Sequence, residues 1–444
     1  MIWLVLVVLL YGTVAAATLS RPLDWGSAHK ATMARSFTVQ GIVRLRTIPL
    51  QNNPPVGAEP DRYLHWPPLF SIFLSFVFRA LGESEVVARM LVDAVTLATA
   101  GALYLLVHGC GGHRPGLLAA STYLALPITI TFAGFVYPLK LAILLWLLAL
   151  LAFLSATQTA RLRKLPAALG AGALLLSVLS SWEPVLLCPG LFLISILQRN
   201  RTRSQLSLLY TGVAAVAFFG VIAWYLYQAP ALAQGFWHTV SYCLGFGYGA
   251  LAEGGVHGIV DRLYYATVPT PTLPLLLRYL RWLTMLGTVP VLALAVVLVG
   301  GLRDWRQCKQ TDLAVLFFGL LSVWILWFAL LRNHAAIHSF QMMIAAPAAA
   351  ATSLALGKVL PRAEDRSPVM LRRWAAAGIA LVALLATAAY YARPVVLDQT
   401  PDPLVAFAAE IARKYPSGRR RHDHRAGHGP RLLLPAAHHP VRHQ

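Results

Sequence analysis

Long uncharged runs recur along the chain and alternate with short polar segments that carry Lys and Arg. Runs of about 20 apolar residues are long enough to cross a hydrocarbon core as α-helices. Eleven such spans are predicted, near residues 2–19, 85–108, 115–136, 138–157, 166–182, 184–198, 206–228, 282–302, 312–331, 339–360 and 374–392. The pattern therefore predicts an all-α polytopic membrane protein.

Two apolar stretches depart from this simple pattern. The run from Leu165 to Leu197 is too long for one span and too short for two full ones. Glu183-Pro184 in its middle predicts two short helices that meet at the outer surface. The stretch Leu69 to Leu81 is short enough for a re-entrant or interfacial helix. Residues 2–19 lack a basic n-region and a clear cleavage site, so they are interpreted as a retained first helix.

Basic residues in the short loops predict the orientation. The Arg and Lys clusters lie at 161–164, 199–203, 303–309 and 358–373. An eleven-span topology places all of them on one side, which the positive-inside rule assigns to the cytoplasm. The external loops are then 20–84, 229–281 and 332–338. Residues 1–392 are predicted to form one transmembrane domain, with 393–444 as an external tail. Its basic end, 417–444, is interpreted either as a disordered tail or as the product of a frameshift that truncated an external domain.

Composition agrees with a membrane protein. Hydrophobic residues make up 58% of the 444 residues and charged residues only 12%, about half the charged fraction of a soluble domain. The net charge of +20 could indicate nucleic acid, but in a membrane protein it favours anionic lipid headgroups and phosphates as partners. The four cysteines form no CxxC pair, so neither a metal knuckle nor a disulfide framework is indicated.

The first acid of the chain, Asp24, follows the first predicted span at a membrane–water boundary. The residues after Asp24, placed on the period of an α-helix, predict an interfacial helix. Met33 and Phe37 lie on its apolar stripe, and Ser27 and Ala31 lie on its wetter side. A carboxylate at this depth can serve as a general base towards a polar headgroup. It is equally well placed to cap the helix. Both interpretations stay open.

Histidines mark the other candidate sites. His65 and Trp66 precede two prolines that hold them near the membrane surface, where Trp66 is more often an interfacial anchor and a structural role for His65 is slightly favoured over a functional one. In the loop 332–338, Arg332 accompanies His334 and His338, which are four residues apart and share one helix face. This set suits a lipid phosphate better than a metal, because no carboxylate lies nearby; loop anchoring among the headgroups is the alternative.

Two further ionisable residues come close to span interiors. Lys140 and Glu183 are predicted near the external ends of their spans, since Pro138 and Pro184 interrupt the helices there. Asp261 and His257 lie in the second long loop, where a solvated position is expected.

Several motifs occur in a characteristic order. Asp24 is followed by Ala31-Thr-Met-Ala-Arg-Ser-Phe-x-x-x-Gly41, then by Tyr63-x-x-x-Pro-Pro-Leu69 and by Gly82-x-Ser-Glu-x-x-x-Arg89. In this order they resemble the bacterial GT-C glycosyltransferases, relatives of the protein O-mannosyltransferases and lipid A aminoarabinose transferases. The resemblance covers residues 1–110 and extends weakly to Ser181-Trp-Glu-Pro184 and to the loop 332–338.

The resemblance implies a GT-C-like membrane enzyme that takes a sugar from a polyprenyl-phosphate donor. Asp24 matches the first-loop acid, the family's general base or acceptor-orienting group. The carrier phosphate would be held by basic and His residues of the external loops: His65, Arg332, His334 and His338, with Lys30 and Arg35 as further candidates. The chain departs from the family at two places. Trp25 follows Asp24 where the family has a second acid, and Lys140 lies at the start of the fourth span, where many relatives have a further acid. The metal-binding motifs of oligosaccharyltransferases are missing, so no divalent metal is indicated.

The predicted function is therefore sugar transfer from a lipid-phosphate donor to a glycan, lipid or protein acceptor, with no nucleic-acid partner. It requires a base for the acceptor hydroxyl and positive charge for the departing phosphate. The plasma (inner) membrane is the predicted location, with the active site facing the periplasm or exterior. A non-enzymatic lipid-carrier transporter or polymerase-like protein is the alternative, although transporters place their polar groups at mid-membrane.

Overall fold

A computed structural model describes most of the chain. It covers residues 2–21, 24–50, 62–64, 66–159, 161–228, 272–303, 311–331, 338–352 and 368–397, with the single residues 230, 240 and 334. Within these residues the regular structure is helical, apart from one isolated β-bridge between Leu50 and Arg62. The predicted all-α class is confirmed.

The helices follow the chain in fifteen α-helical elements within the described residues. The first eight are α1 Ile2–Leu19, α2 Trp25–Gln40, α3 Leu69–Leu81, α4 Glu85–Gly111, α5 His113–Ala125, α6 Pro127–Thr131, α7 Pro138–Ala156 and α8 Lys164–Ser180. The others are α9 Leu187–Leu197, α10 Arg201–Gln228, α11 Thr272–Leu283, α12 Thr288–Arg303, α13 Asp312–Leu330, α14 Ala346–Ala351 and α15 Pro368–Leu397. Short 3₁₀ turns occupy Glu183–Leu186, Thr284–Leu286 and Ser339–Ala345.

Five of the described helices are long and apolar enough to cross a membrane: α4, α7, α10, α13 and the part of α15 from Gly378 to Leu397. Shorter apolar helices accompany them, so the count of eleven spans stays a prediction. The span predicted over 115–136 is not continuous, because Leu126 is extended and Pro127 starts a separate helix. The break predicted at Glu183-Pro184 is present as a 3₁₀ turn between α8 and α9.

The motif around Gly82 is a helix connector. Gly82 follows α3 with φ +92°, a conformation that L side chains rarely adopt. Ser84 then begins α4, and its hydroxyl accepts a hydrogen bond from the backbone N–H of Val87 at 3.1 Å. These two residues turn the chain tightly, so that Arg89 enters the bundle on the first turns of α4.

Helix α2 is packed on most of its sides. Met33 and Phe37 are buried as predicted, but Ser27 is 0% and Ala31 4% exposed, although both were expected on a wetter face. The wetter face predicted for this helix is wrong at these two residues, because α3 and the segment before α7 cover the polar side as well. Consequently Lys30 on this helix is buried too.

At the end of the bundle that is predicted to be cytoplasmic, one arginine connects residues of several helices and loops. Arg203, at the start of α10, donates from Nη1 to Gln198 Oε1 at 2.6 Å and forms an ion pair with Asp312 at the start of α13. Its Nε donates to Thr157 Oγ1 at 3.3 Å, at the end of α7. Arg203 thereby connects three of the loops that are predicted to be cytoplasmic. This end of the bundle lies one helix length away from the start of α7.

Candidate functional site

Asp24 caps helix α2. Its Oδ1 accepts a hydrogen bond from the backbone N–H of Ser27 at 2.9 Å, and Oδ2 accepts one from the Ser27 hydroxyl at 2.6 Å. The same hydroxyl oxygen accepts from the backbone N–H of Val136 at 2.9 Å. The carboxylate is therefore fixed to the segment that precedes α7, and the capping role predicted for Asp24 is present.

Near Asp24 lie three buried charged side chains, each less than a tenth exposed: Arg89, Asp93 and Lys140. They interact electrostatically with one another, and Arg89 and Lys140 also interact with Asp24. Asp93 Oδ1 accepts from the Tyr11 hydroxyl and from the backbone N–H of Gly134, both at 2.9 Å. The Asp93 carboxylate therefore joins α1, through Tyr11, and the segment before α7, through Gly134, to α4.

Gly134 is required by this packing. It has φ +66°, and a Cβ atom there would lie 2.4 Å from Thr18 Oγ1. No larger residue fits without moving the end of α1. The close approach sets the path of residues 134–137, which run between Asp24 and Lys30.

Lys30 is a buried cation. It is 3% exposed, and its Nζ donates to the Tyr63 hydroxyl at 2.8 Å. The same ammonium lies 5.4 Å from the ring centroid of Tyr137, immediately before α7. Among the residues that the structure describes, no carboxylate comes within ion-pair distance of it. Burial lowers the pKa of Lys30 well below its usual value.

The histidine pair of the loop 332–338 faces this lysine. The rings of His334 and His338 are 4.8 Å apart, and the backbone N–H of His338 donates to His334 O at 3.3 Å. His334 also contacts Trp66, with 5.8 Å between ring centroids. Burial, and secondarily the charge on Lys30, lowers the pKa of His338 to about 4, so this ring is neutral at pH 7.

A small cavity of about 10 Å³ adjoins the lysine, roughly the room for one water molecule. Its lining includes Lys30, Met33, Tyr63, Trp66, Ser71 and Pro138. It brings together the first external loop, α2, α3 and the start of α7. A larger ligand therefore needs the loops over this cavity to open.

The structure brings together some predicted site residues and separates another. Lys30, His334 and His338 form one group, and Asp24 is joined to it through Ser27 and the segment 134–137. Arg35 instead pairs with Glu83, with 2.9 Å between Nε and Oε1. His65 and Arg332 lie outside the described residues.

Sequence reasoning missed several members of this region. Tyr63 was seen only as part of a motif and Tyr137 was not singled out, yet both contact Lys30. Asp93 gave no signal beyond being an acid inside a predicted span. In the described part of the chain, no three metal-ligating side chains come together.

Comparisons with known proteins point to one group of enzymes. Residues 65–227 match the family described as dolichyl-phosphate-mannose-protein mannosyltransferase. No curated protein matches the chain. The resemblance drawn from the motifs of the first 110 residues is thereby confirmed over a different, overlapping stretch.

Solved structures share the fold over nearly the whole chain. ArnT from Cupriavidus metallidurans, bound to undecaprenyl phosphate, superposes with a TM-score of 0.58 and 16% identity, covering 93% of this chain and 72% of ArnT. Its apo form gives 0.56 and 17%, covering 93% of this chain and 80% of ArnT. The archaeal oligosaccharyltransferase AglB from Archaeoglobus fulgidus, in complex with an inhibitory peptide and a dolichol-phosphate, gives 0.59 and 13%, covering 93% of this chain but 58% of AglB. The chain has the fold of these membrane proteins.

Proposed function

We propose that this chain, similar in sequence to the dolichyl-phosphate-mannose-protein mannosyltransferases and in fold to ArnT and AglB, is a membrane glycosyltransferase. It moves a sugar from a polyprenyl-phosphate donor to an acceptor on the external face. The observation that carries the proposal is the buried Lys30, held by Tyr63 beside His338 without a nearby carboxylate among the described residues.

A phosphate explains the burial of Lys30. An ammonium in an apolar site costs free energy unless an anion offsets it. A lipid phosphate supplies that anion from the membrane itself, and its oxygens accept charge-assisted hydrogen bonds from the two remaining Nζ–H donors. His334 and His338 complete the polar side of the site, and the flanking His65 and Arg332 stay in the proposal as further phosphate contacts. Arg35 is left out, because Glu83 already balances its charge.

Asp24 is the proposed general base. It takes the proton of an acceptor hydroxyl, whose oxygen attacks the anomeric carbon of the donor sugar. The bond between that carbon and the phosphate oxygen breaks, and its electron pair leaves with the carrier phosphate. Lys30 stabilises the charge that develops there. Among the described residues, each Asp24 oxygen accepts one hydrogen bond, which leaves a second lone pair for the acceptor.

The membrane location and the side of catalysis follow from the predicted topology. Lys30, His338 and Asp24 lie at the end of the bundle opposite the Arg203 cluster, whose loops carry the basic residues. We assign the first end to the periplasm or exterior of the plasma (inner) membrane. A glycan, a lipid or a protein is the acceptor at that face.

The test is a transfer assay on the purified protein in lipid nanodiscs. A panel of radiolabelled polyprenyl-phosphate sugars is offered with lipid, glycan and peptide acceptors. Wild-type protein is expected to transfer label from at least one donor, and Asp24→Asn to lose transfer while retaining carrier binding. Binding of the carrier without transfer from any donor, in the wild type, would favour the transporter instead.

A further inference from the structure

A second polar group lies in the core, apart from Lys30 and Asp24. Ser181, Glu183 and Gln341 are each 0% or 1% exposed, at the break between α8 and α9 and in the 3₁₀ turn Ser339–Ala345. Glu183 Oε2 accepts a hydrogen bond from the Ser181 hydroxyl. The Gln341 side chain lies close enough to Glu183 to interact with its carboxylate.

Three atoms of this group have unused hydrogen-bonding capacity. Glu183 Oε1 and Gln341 Oε1 accept no well-aligned hydrogen bond from the described residues, and Gln341 Nε2 donates none. Buried polar atoms in native proteins are normally paired, and leaving one unpaired destabilises the fold. Beyond their interaction with each other, Glu183 and Gln341 therefore offer hydrogen-bonding capacity to a polar ligand that both donates and accepts.

The group adjoins the proposed phosphate site. The backbone N–H of Gln341 donates to His338 O at 3.0 Å, and His338 directly precedes the 3₁₀ turn that contains Gln341. Trp182, between Ser181 and Glu183, packs against the cluster that contains Leu64. The polar group thus includes a residue of the turn that follows His338, and its neighbour Trp182 packs near the first-loop segment.

We propose that Ser181, Glu183 and Gln341 bind hydroxyl groups of the donor sugar and so determine which sugar is accepted. The inference rests on the proposed function, because the sugar is attached to the phosphate at Lys30. A carboxylate accepts from hydroxyls, and an amide both donates and accepts, which is the combination that a vicinal diol requires. The phosphate is proposed to lie beside His338, three residues before Gln341, so the two groups can serve one donor.

The group is closed in this structure, and the 3₁₀ turn Ser339–Ala345 is the element that must shift to admit a sugar. Such turns have poorer hydrogen-bond geometry than α-helices and are often functional hinges. A bound sugar would satisfy the three atoms that are unpaired without it. A hydroxyl recognised in this way is discriminated strongly, since an analogue without it leaves buried groups unpaired.

The experiment compares whole donors with their deoxy analogues in the full-length protein. Wild type is expected to prefer the complete donor over at least one monodeoxy analogue by about 10²- to 10⁴-fold in kcat/KM. Gln341→Met and Glu183→Gln should each lower kcat/KM for the complete donor by about 10- to 100-fold. The ratio of kcat/KM between the complete donor and its deoxy analogue should become smaller in both variants. Affinity for sugar-free undecaprenyl phosphate should stay at the wild-type value. Gln158→Met, an exposed change at the opposite end, is the matched control.

Two results would overturn the assignment. If both variants lose activity equally on every donor and analogue, the group is a buried structural site, occupied by water. If a variant is folded by thermal melting but keeps the wild-type sugar preference, the group does not contact the sugar. Failure of the wild type to bind undecaprenyl phosphate at all would remove the proposed function as well, which neither of the first two results does.

Discussion

Replacing Lys30 with Met separates the functional from the structural contribution of the buried ammonium. Methionine has a similar length and an apolar surface that suits the neighbouring Met33 and Phe70. The substitution removes the charge and the hydrogen bond to Tyr63, which spans 2.8 Å. The two properties to follow are the affinity for a polyprenyl phosphate and the stability of the unliganded protein.

The expected loss in affinity follows from the contact proposed for the phosphate. A hydrogen bond between charged groups contributes about 1.5–3 kcal/mol. At about 1.4 kcal/mol per tenfold change, Lys30→Met should weaken binding of undecaprenyl phosphate about 10- to 150-fold.

Stability should change in the other direction. The pKa of Lys30 is lowered by burial, so between its folded value and about 10.4 the unfolded chain binds more protons than the native protein. Native stability therefore rises as the pH increases through that window, and at pH 7 the burial of this group costs stability. Lys30→Met removes this cost and should unfold at a higher temperature than wild type at pH 7. Its melting temperature should also rise less between pH 7 and pH 10.

The assays are equilibrium binding of undecaprenyl phosphate in detergent and thermal melting over this pH range. Lys164→Met makes the same exchange at an exposed position on the opposite end and should change neither property. A Lys30→Met protein with wild-type affinity and a lower melting temperature would refute the reasoning. Lys30 would then be a structural residue stabilised by its aromatic neighbours.

Three further predictions follow from the same geometry. Asp24→Asn keeps an oxygen for the N–H of Ser27, so stability should change by at most ~1 kcal/mol, while transfer falls about 10²- to 10⁴-fold; full activity in a folded variant would contradict the base role. His338 has a folded pKa of about 4, below its unfolded value of about 6.5, so between these values the unfolded chain binds more protons than the native protein. Native stability therefore falls as the pH decreases from about 6.5 to about 4. His338→Gln should therefore melt with a smaller decrease between pH 6.5 and pH 4 than wild type, and an identical decrease would count against a buried neutral imidazole. In a cysteine-free background, Gln51→Cys should react with an impermeant thiol reagent from outside and Arg161→Cys should not; equal labelling would overturn the topology.

Hydropathy identified the helical membrane architecture because long apolar runs allow few other structures. It did not separate α5 from α6, since the residues on either side of Pro127 are uniformly apolar. The break at Glu183-Pro184 was predicted, because there a charge accompanies the proline. Pattern alone therefore located helices better than it located their interruptions.

The candidate site could be predicted only in part. Asp24 and His338 were found because polar residues next to apolar runs are conspicuous. The burial of Lys30 was not foreseeable, because the side chains that cover it, such as Tyr63 and Tyr137, come from distant segments. Ser27 was placed on a wet face for the same reason: helical periodicity cannot tell which neighbours will cover a polar side. Tertiary contacts decide which polar residues of such a helix become a site.

The central claim, that the buried Lys30 binds the phosphate of a lipid carrier, is tested most directly by an experimental structure of the protein with undecaprenyl phosphate. The account predicts a phosphate oxygen within hydrogen-bond distance of Lys30 Nζ, with the His334–His338 pair against the same phosphate. A phosphate held elsewhere, with Lys30 still bonded only to Tyr63, would contradict it.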